Sequence, residues 1–401
     1  MILSVATGLM NFVSNILAAR ALGPGRYADY GTFVALLSMI LVPNSVVAMR
    51  AAQVGGVPEP DSRVLSRLHQ RSLLIGVALS FAGAVVMIGI YQEFYAAPSD
   101  WWVPVFTAIL LFFTPLEAFY VGLLQGRKRF LTSQWGRAFN AICKMLGIGV
   151  LWLRGGSLID ALGIVLGSQI CTLIYILGPV RRSPSIRKWV GYSRNGMLLR
   201  RTRSTRGWSL VFAITLSSAL YFNIDMLMAK SVFNGDLAGI FAALTITGKV
   251  LSLATGPISY VLYPHLLTST SRSQRVQLVL AAWLGTLFVD LLIVECFGLL
   301  SHSLTVLLFG PSYQAVSSYM VIYGVAFAFY SISSVAFTVL LAYKVSTLWV
   351  DVVGGGIFEV VALLVFHGSL MMFTVAFACC MGVLCIAVSV QAAKVLYAEK
   401  I

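Results

Sequence analysis

Ionisable residues are scarce in this sequence, so their positions carry information. Of 28 lysines and arginines, only Lys144 and Lys249 lie inside long apolar runs and away from the ends of those runs. Among the 14 acids, Glu117, Asp225, Asp290, Glu295 and Glu359 are placed in the same way. Charges in such surroundings are costly and are functional by default, as cargo contacts, proton relays or ion sites. Lys249, about eleven residues into its run, is the first candidate for holding an anion such as a phosphate. Lys144 is the second, with Glu117 at comparable depth as a candidate partner. Asp225 and Asp290 are candidates for binding H+ or Na+, and Glu117 and Glu359 for balancing charge beside them. Arg20 and Arg50, which flank the first two apolar runs at opposite faces, are further candidates for substrate binding. A plainer reading stands beside each of these. Buried Lys–Glu pairs also glue helices together, and arginines at run ends also snorkel to the headgroups.

Catalytic constellations are missing. Gly248-Lys249 lacks the earlier glycine and the following hydroxyl of a phosphate-binding loop. His69, His265, His302 and His367 lie far apart, with no metal-ligand spacing. The six cysteines all fall in apolar runs and read as small buried hydrophobes. No catalytic residue, metal or cofactor is therefore expected, and the chain does not read as an enzyme.

The elements that position these residues are membrane helices. Mean hydropathy is +0.90 and only 10% of residues are charged, against about 25% in an ordinary soluble domain. About twelve apolar runs approach the length of a membrane span. They fall near 2–19, 30–49, 72–91, 101–124, 138–153, 161–179, 209–228, 238–266, 278–299, 315–341, 347–366 and 371–390. The run at 138–153 is short and extends back toward Leu131. With both termini in the cytoplasm, 22 of the 28 cations fall in inner loops and tails and four in outer loops. That bias is what the positive-inside rule requires. Trp101, Trp102, Trp208 and Trp349 stand near helix starts, where aromatic rings favour the headgroup level. Met1 opens directly into the first run, so no secretory leader is read unless the natural start lies upstream.

The longest polar stretch, Arg181 to Arg206, carries nine cations and no acid. It divides the chain into an N-terminal six-helix lobe (1–180), a basic cytoplasmic linker (181–207) and a C-terminal six-helix lobe (208–401). The net charge of +14 then reflects topology and attraction to anionic lipids at the linker, not nucleic acid. Asn11, Arg20 and Gly31 recur in order as Asn223, Lys230 and Gly239, and Phe119–Lys128 resembles Phe337–Lys344. Six helices separate the copies, so the lobes are parallel repeats around an expected central cavity.

Four segments carry a family resemblance. Asn11, Ala19-Arg20, Leu22-Gly23-Pro24 and Tyr30-Gly31 resemble the opening of the Wzx-type polysaccharide-biosynthesis flippases. These belong to the multidrug/oligosaccharidyl-lipid/polysaccharide (MOP) superfamily, which includes the MATE transporters. Gly122 to Gly126, Asn223-Ile-Asp225 with Ala238-Gly239, and Leu307 to Gly310 with Tyr313 are similar in the same order. The resemblance implies an all-α membrane fold of two six-helix lobes that alternate access. It also implies transfer of undecaprenyl-pyrophosphate-linked oligosaccharide from the inner to the outer leaflet of a bacterial inner membrane. Polysaccharide assembly enzymes would be the partners. Lipid II flippases fit less well, because Gly8 and Ser14 stand where they carry arginines and the two extra C-terminal helices are missing. The alternatives are a cation-coupled multidrug extruder of the same superfamily and a membrane polysaccharide polymerase or ligase. The latter needs a large outer loop, and none is present.

Overall fold

The structure is a computed structural model. It describes residues 2–56, 62–94, 101–181, 212–213, 215–217, 219–233, 235–269, 271–343, 345 and 348–398. The basic linker, Trp208 and Lys344 lie outside the described residues.

Among the described residues the fold is all-helical. The helices are α1 (Ile2–Ile40), α2 (Pro43–Gly55), α3 (Ser62–Phe94), α4 (Trp102–Gly126), α5 (Phe130–Arg154), α6 (Leu158–Arg181), α7 (Ile224–Val232), α8 (Asp236–Thr268), α9 (Arg272–Leu308), α10 (Met320–Ala342), α11 (Leu348–Val365) and α12 (Leu370–Ala398). A 3-10 helix, Pro311–Ser318, precedes α10. Nine helices in the described residues are long and apolar enough to cross a membrane.

The chain forms two compact units. One holds Met1–Leu22 and Leu36–Trp208, and the other holds Gly23–Ala35 and Ser209–Ile401. The thirteen residues Gly23–Ala35 thus pack with the C-terminal half, whereas the sequence reading assigned everything before 180 to the first lobe. The helix boundaries explain this. The stretch Gly23-Pro24-Gly25 reads as a loop between two spans, but only Gly23 leaves the helical conformation (φ 70°, ψ 170°), and the helix resumes at once. Pro24 occupies the first turn of the resumed helix, where its missing N–H costs nothing. The expected second span at 30–49 is instead broken at Leu41–Val42, where Pro43 opens α2.

In the N-terminal unit α4 is central and packs on α2, α3, α5 and α6. Its Gly122 and Gly126 lie directly on the Ala48 and Ala52 carbonyls of α2, the small-xxx-small contact by which membrane helices approach closely. Gly122 to Gly126 is one of the segments that carry the family resemblance. The start of α6 is capped reciprocally: the Ser157 N–H and hydroxyl both donate to Asp160 Oδ2 at 2.8 Å, and the Asp160 N–H donates to Ser157 Oγ at 3.4 Å. In the C-terminal unit α10 is central and packs on α8, α9 and α12. Its Tyr323 and Phe327 join Phe241, Phe373 and Phe377 in a run of edge-on and stacked rings 5.2 to 6.0 Å apart.

One expectation on the cysteines needs correction. All six are free, but Cys171 and Cys379 are exposed on their helices and only Cys380 and Cys385 are fully buried. Apolar runs have an outer, lipid-facing side as well as a core, and run membership alone does not separate the two.

Candidate functional site

Three polar constellations stand out inside the two units. The first lies in the C-terminal unit and gathers three of the sequence candidates, Asp225, Lys249 and Glu359, with a fourth, Asp290, buried in the same unit. Asp225, in the first turn of α7, is fully buried. It accepts a hydrogen bond at Oδ2 from the Tyr323 hydroxyl of α10, while its Oδ1 has no hydrogen-bond partner. The Lys249 ammonium of α8 donates to Asn223 Oδ1 at 3.4 Å, lies 6.0 Å from the Phe222 ring centroid and interacts electrostatically with Asp225. Glu359 of α11 is fully buried, interacts with Asp225 across the cluster and has no hydrogen-bond partner at either oxygen. Asp290 of α9 is 1% exposed and faces Ser331, with neither carboxylate oxygen hydrogen-bonded. Buried polar atoms in native structures are nearly always paired. Among the described residues five carboxylate oxygens on these three buried acids lack a partner, and they mark places that a proton or a cation would complete. Gly355, in the glycine triplet of α11, leaves room for the Tyr221 hydroxyl, which donates to the Asp351 carbonyl at 3.0 Å.

The second constellation was missed in the sequence. Asp29, 3% exposed at its side chain, accepts from Lys230 at 2.7 Å and from Arg26 at 3.3 Å. The segment that carries it is fitted closely to α7 and α8. Gly239 lies against the Pro24 carbonyl, Gly31 against Met226 and Ala242, and Tyr27 meets Tyr313 edge-on at 6.3 Å. Arg26 and Lys230 are among the four cations read as outer-loop residues, and Asp29 was not singled out. The spacing Arg26-x-x-Asp29, one helical turn, was the signal available. The Lys230 partner, 201 residues away, had none.

The third constellation lies in the N-terminal unit. The Asn140 amide of α5 donates to Gln169 Oε1 of α6 at 3.2 Å, and the Gln169 amide donates to Glu117 Oε2 of α4. Arg137 is the charged neighbour of Glu117. Glu117 therefore does not partner Lys144 as expected: Gln169 takes the carboxylate, and Lys144 makes no ion pair with any described residue. Lys144 also sits deeper than the sequence suggested. α5 begins at Phe130, in line with the extension toward Leu131, and Lys144 is the fifteenth of its 25 residues. Arg20 lies within the continuous α1, 5.9 Å from the Trp152 ring centroid. This aromatic contact within its own unit fits an anchoring role. Arg50 is half-buried on α2.

The fold was then compared with known proteins. An inward-facing multidrug resistance MATE family transporter of the MOP superfamily superposes with a TM-score of 0.74 at 12% identity, covering 98% of this chain and 95% of that one. The fold is that of the MATE transporters. A MATE structure in the straight conformation gives 0.67 at 14% identity, over 99% and 94% of the two chains. An outward-facing MATE family transporter gives 0.59 at 15% identity, over 98% and 93%. No protein-family model matches the sequence, and no curated protein matches it. The MATE fold comprises twelve helices in two lobes, as the apolar runs predicted. The acids and Lys249 of the first constellation and the Glu117, Asn140 and Gln169 of the third stand on helices that correspond to predicted spans, whereas Arg26, Asp29 and Lys230 stand between them.

Proposed function

We propose that this protein is a flippase that moves lipid-linked oligosaccharide, carried on undecaprenyl pyrophosphate, from the inner to the outer leaflet of a bacterial inner membrane. It works by alternating access between its two lobes, with both termini and the basic linker in the cytoplasm. The single observation that carries the choice of cargo is Lys144, an ammonium at mid-helix in the N-terminal unit with no carboxylate paired to it among the described residues. A cavity built for organic cations would place acids there. An unpaired cation calls for an anionic cargo, since burying a charge is tolerated only when it is compensated. Lys249 serves differently from the sequence expectation. It neutralises the Asp225 and Glu359 pair, and these acids with Asp290 are the coupling groups that take up H+ or Na+. No cofactor or catalytic step enters this reading. The linker holds anionic lipids, and polysaccharide assembly enzymes receive the product.

A cation-coupled multidrug extruder is the second reading, favoured by the fold neighbours, which are themselves described as multidrug resistance transporters. Depleting the protein and extracting the lipids separates the two. Flipping predicts that undecaprenyl-pyrophosphate-oligosaccharide accumulates with its sugar protected from an externally added probe. Single repeat units on the outer leaflet would indicate a polymerase, and unchanged lipids with altered drug sensitivity would indicate the extruder.

A further inference from the structure

Three neighbouring helices each place polar side chains near mid-length. Glu117 is the sixteenth of 25 residues in α4, Asn140 and Lys144 are the eleventh and fifteenth of 25 in α5, and Gln169 is the twelfth of 24 in α6. The face they occupy on α5 lies opposite an exposed apolar one. Trp135 and Leu153, both exposed and apolar, lie eighteen residues or five turns apart on one side. Lys144 is nine residues, two and a half turns, from each, and so points the opposite way. Arg137, seven residues before Lys144, shares its face, and Asn140 stands between them.

Helix glue accounts for part of this layer. The Asn140–Gln169–Glu117 chain of hydrogen bonds ties α5, α6 and α4 together. It does not account for Lys144, which makes no hydrogen bond with any described residue, while the Glu117 carboxylate of the same layer is met by Gln169 and Arg137. Nor does it close the chain, because one Glu117 oxygen and the Asn140 carbonyl oxygen keep acceptor capacity.

We infer that this layer is the headgroup-binding site of the N-terminal unit. Lys144 and Arg137 take the anionic oxygens of a pyrophosphate, and Glu117, Gln169 and Asn140 take the hydroxyls of the first sugar attached to it. The chemistry of each group matches its assignment. A fixed carboxylate accepts hydroxyl protons, the amides donate and accept, and the two cations carry no acceptor that would repel phosphate. Seven residues of helix set Arg137 and Lys144 about 10 Å apart along the axis, room for a pyrophosphate and one sugar ring. The site thus reads the carrier-proximal sugar, leaving the rest of the oligosaccharide unread. The inference rests on the flippase reading and deepens it.

The test uses the full-length protein in lipid nanodiscs. The probes are farnesyl pyrophosphate and its conjugates with a single glucose, galactose, N-acetylglucosamine or 6-deoxyhexose. The wild type binds at least one conjugate more tightly than the bare pyrophosphate. Lys144→Met weakens binding of every probe tenfold or more, and Lys144→Arg recovers most of it. Gln169→Leu erases the sugar preference while sparing the bare pyrophosphate. Lys394→Gln, which removes one exposed cation at the far end of α12, binds as the wild type does. If Lys144→Met and Arg137→Gln, folded as judged by thermal unfolding, bind within twofold of a wild type that does bind, the site is wrong and the flippase reading stands. If no sugar raises the affinity, the sugar half of the assignment falls. If the wild type binds none of the probes, both the site and the flippase reading fall.

Discussion

Replacing Lys230 by methionine leaves Asp29 buried with half of its compensation. The carboxylate is 3% exposed and the ammonium 10%, with the two 2.7 Å apart, so neither group relaxes into solvent when its partner is removed. Breaking a buried pair from one side costs about 3–5 kcal/mol. Arg26 remains at 3.3 Å, but it is 39% exposed and holds Asp29 less firmly, which brings the expected cost to roughly 2–3 kcal/mol. In a unit of roughly 200 residues, that corresponds to a fall in melting temperature of about 5–10 °C. The Asp29→Asn, Lys230→Met double variant removes both charges and recovers at least half of the loss. The assay is thermal unfolding of the purified protein in detergent, at one scan rate for all variants. A Lys230→Met protein that melts within about 2 °C of the wild type, or a double variant less stable than either single, would refute the reasoning.

Other outcomes follow from the same geometry. Gly122→Leu drives a side chain into the Ala48 carbonyl and costs at least the 1–3 kcal/mol typical of overpacking; the monodisperse fraction in size-exclusion chromatography falls sharply, whereas Gly298→Leu, in open space, does not lower it. Tyr323→Phe strips Asp225 of the hydroxyl that bonds it, a charge-assisted contact worth about 1.5–3 kcal/mol, and lowers the melting temperature by several degrees. Asp225→Asn and Asp290→Asn each fold but uncouple transport from the ion gradient. Gradient dependence that survives in both variants would remove these acids from the coupling role.

Much of the architecture could be read from apolar runs and loop charges, because membrane helices announce themselves by length and hydropathy. What could not be read has specific causes. Arg129 and Arg137 interrupt the apolar pattern at the start of α5, so the run was counted from 138 despite its extension toward Leu131, and Lys144 seemed shallow. Gly23-Pro24-Gly25 carries loop chemistry, yet a single residue absorbs the break and α1 runs on to Ile40. Asp29 was overlooked for that reason. The buried acids Asp225, Asp290 and Glu359 were found from their unusual surroundings. The convergence of Asp225 and Glu359 with Tyr323 and Lys249 depends on α7, α8, α10 and α11 packing together, which no local pattern encodes.

Transport of the lipid-linked headgroup by the purified protein is the most direct test. Proteoliposomes are loaded symmetrically with a glycosyl-pyrophosphate lipid carrying an oxidisable sugar, and an impermeant oxidant then reports the outer-leaflet fraction over time. The account predicts that the protected half becomes reactive within minutes in vesicles containing the wild type, and that Lys144→Met slows this at least tenfold. Protection that persists with the wild type, in vesicles that nonetheless extrude a cationic dye, would contradict it.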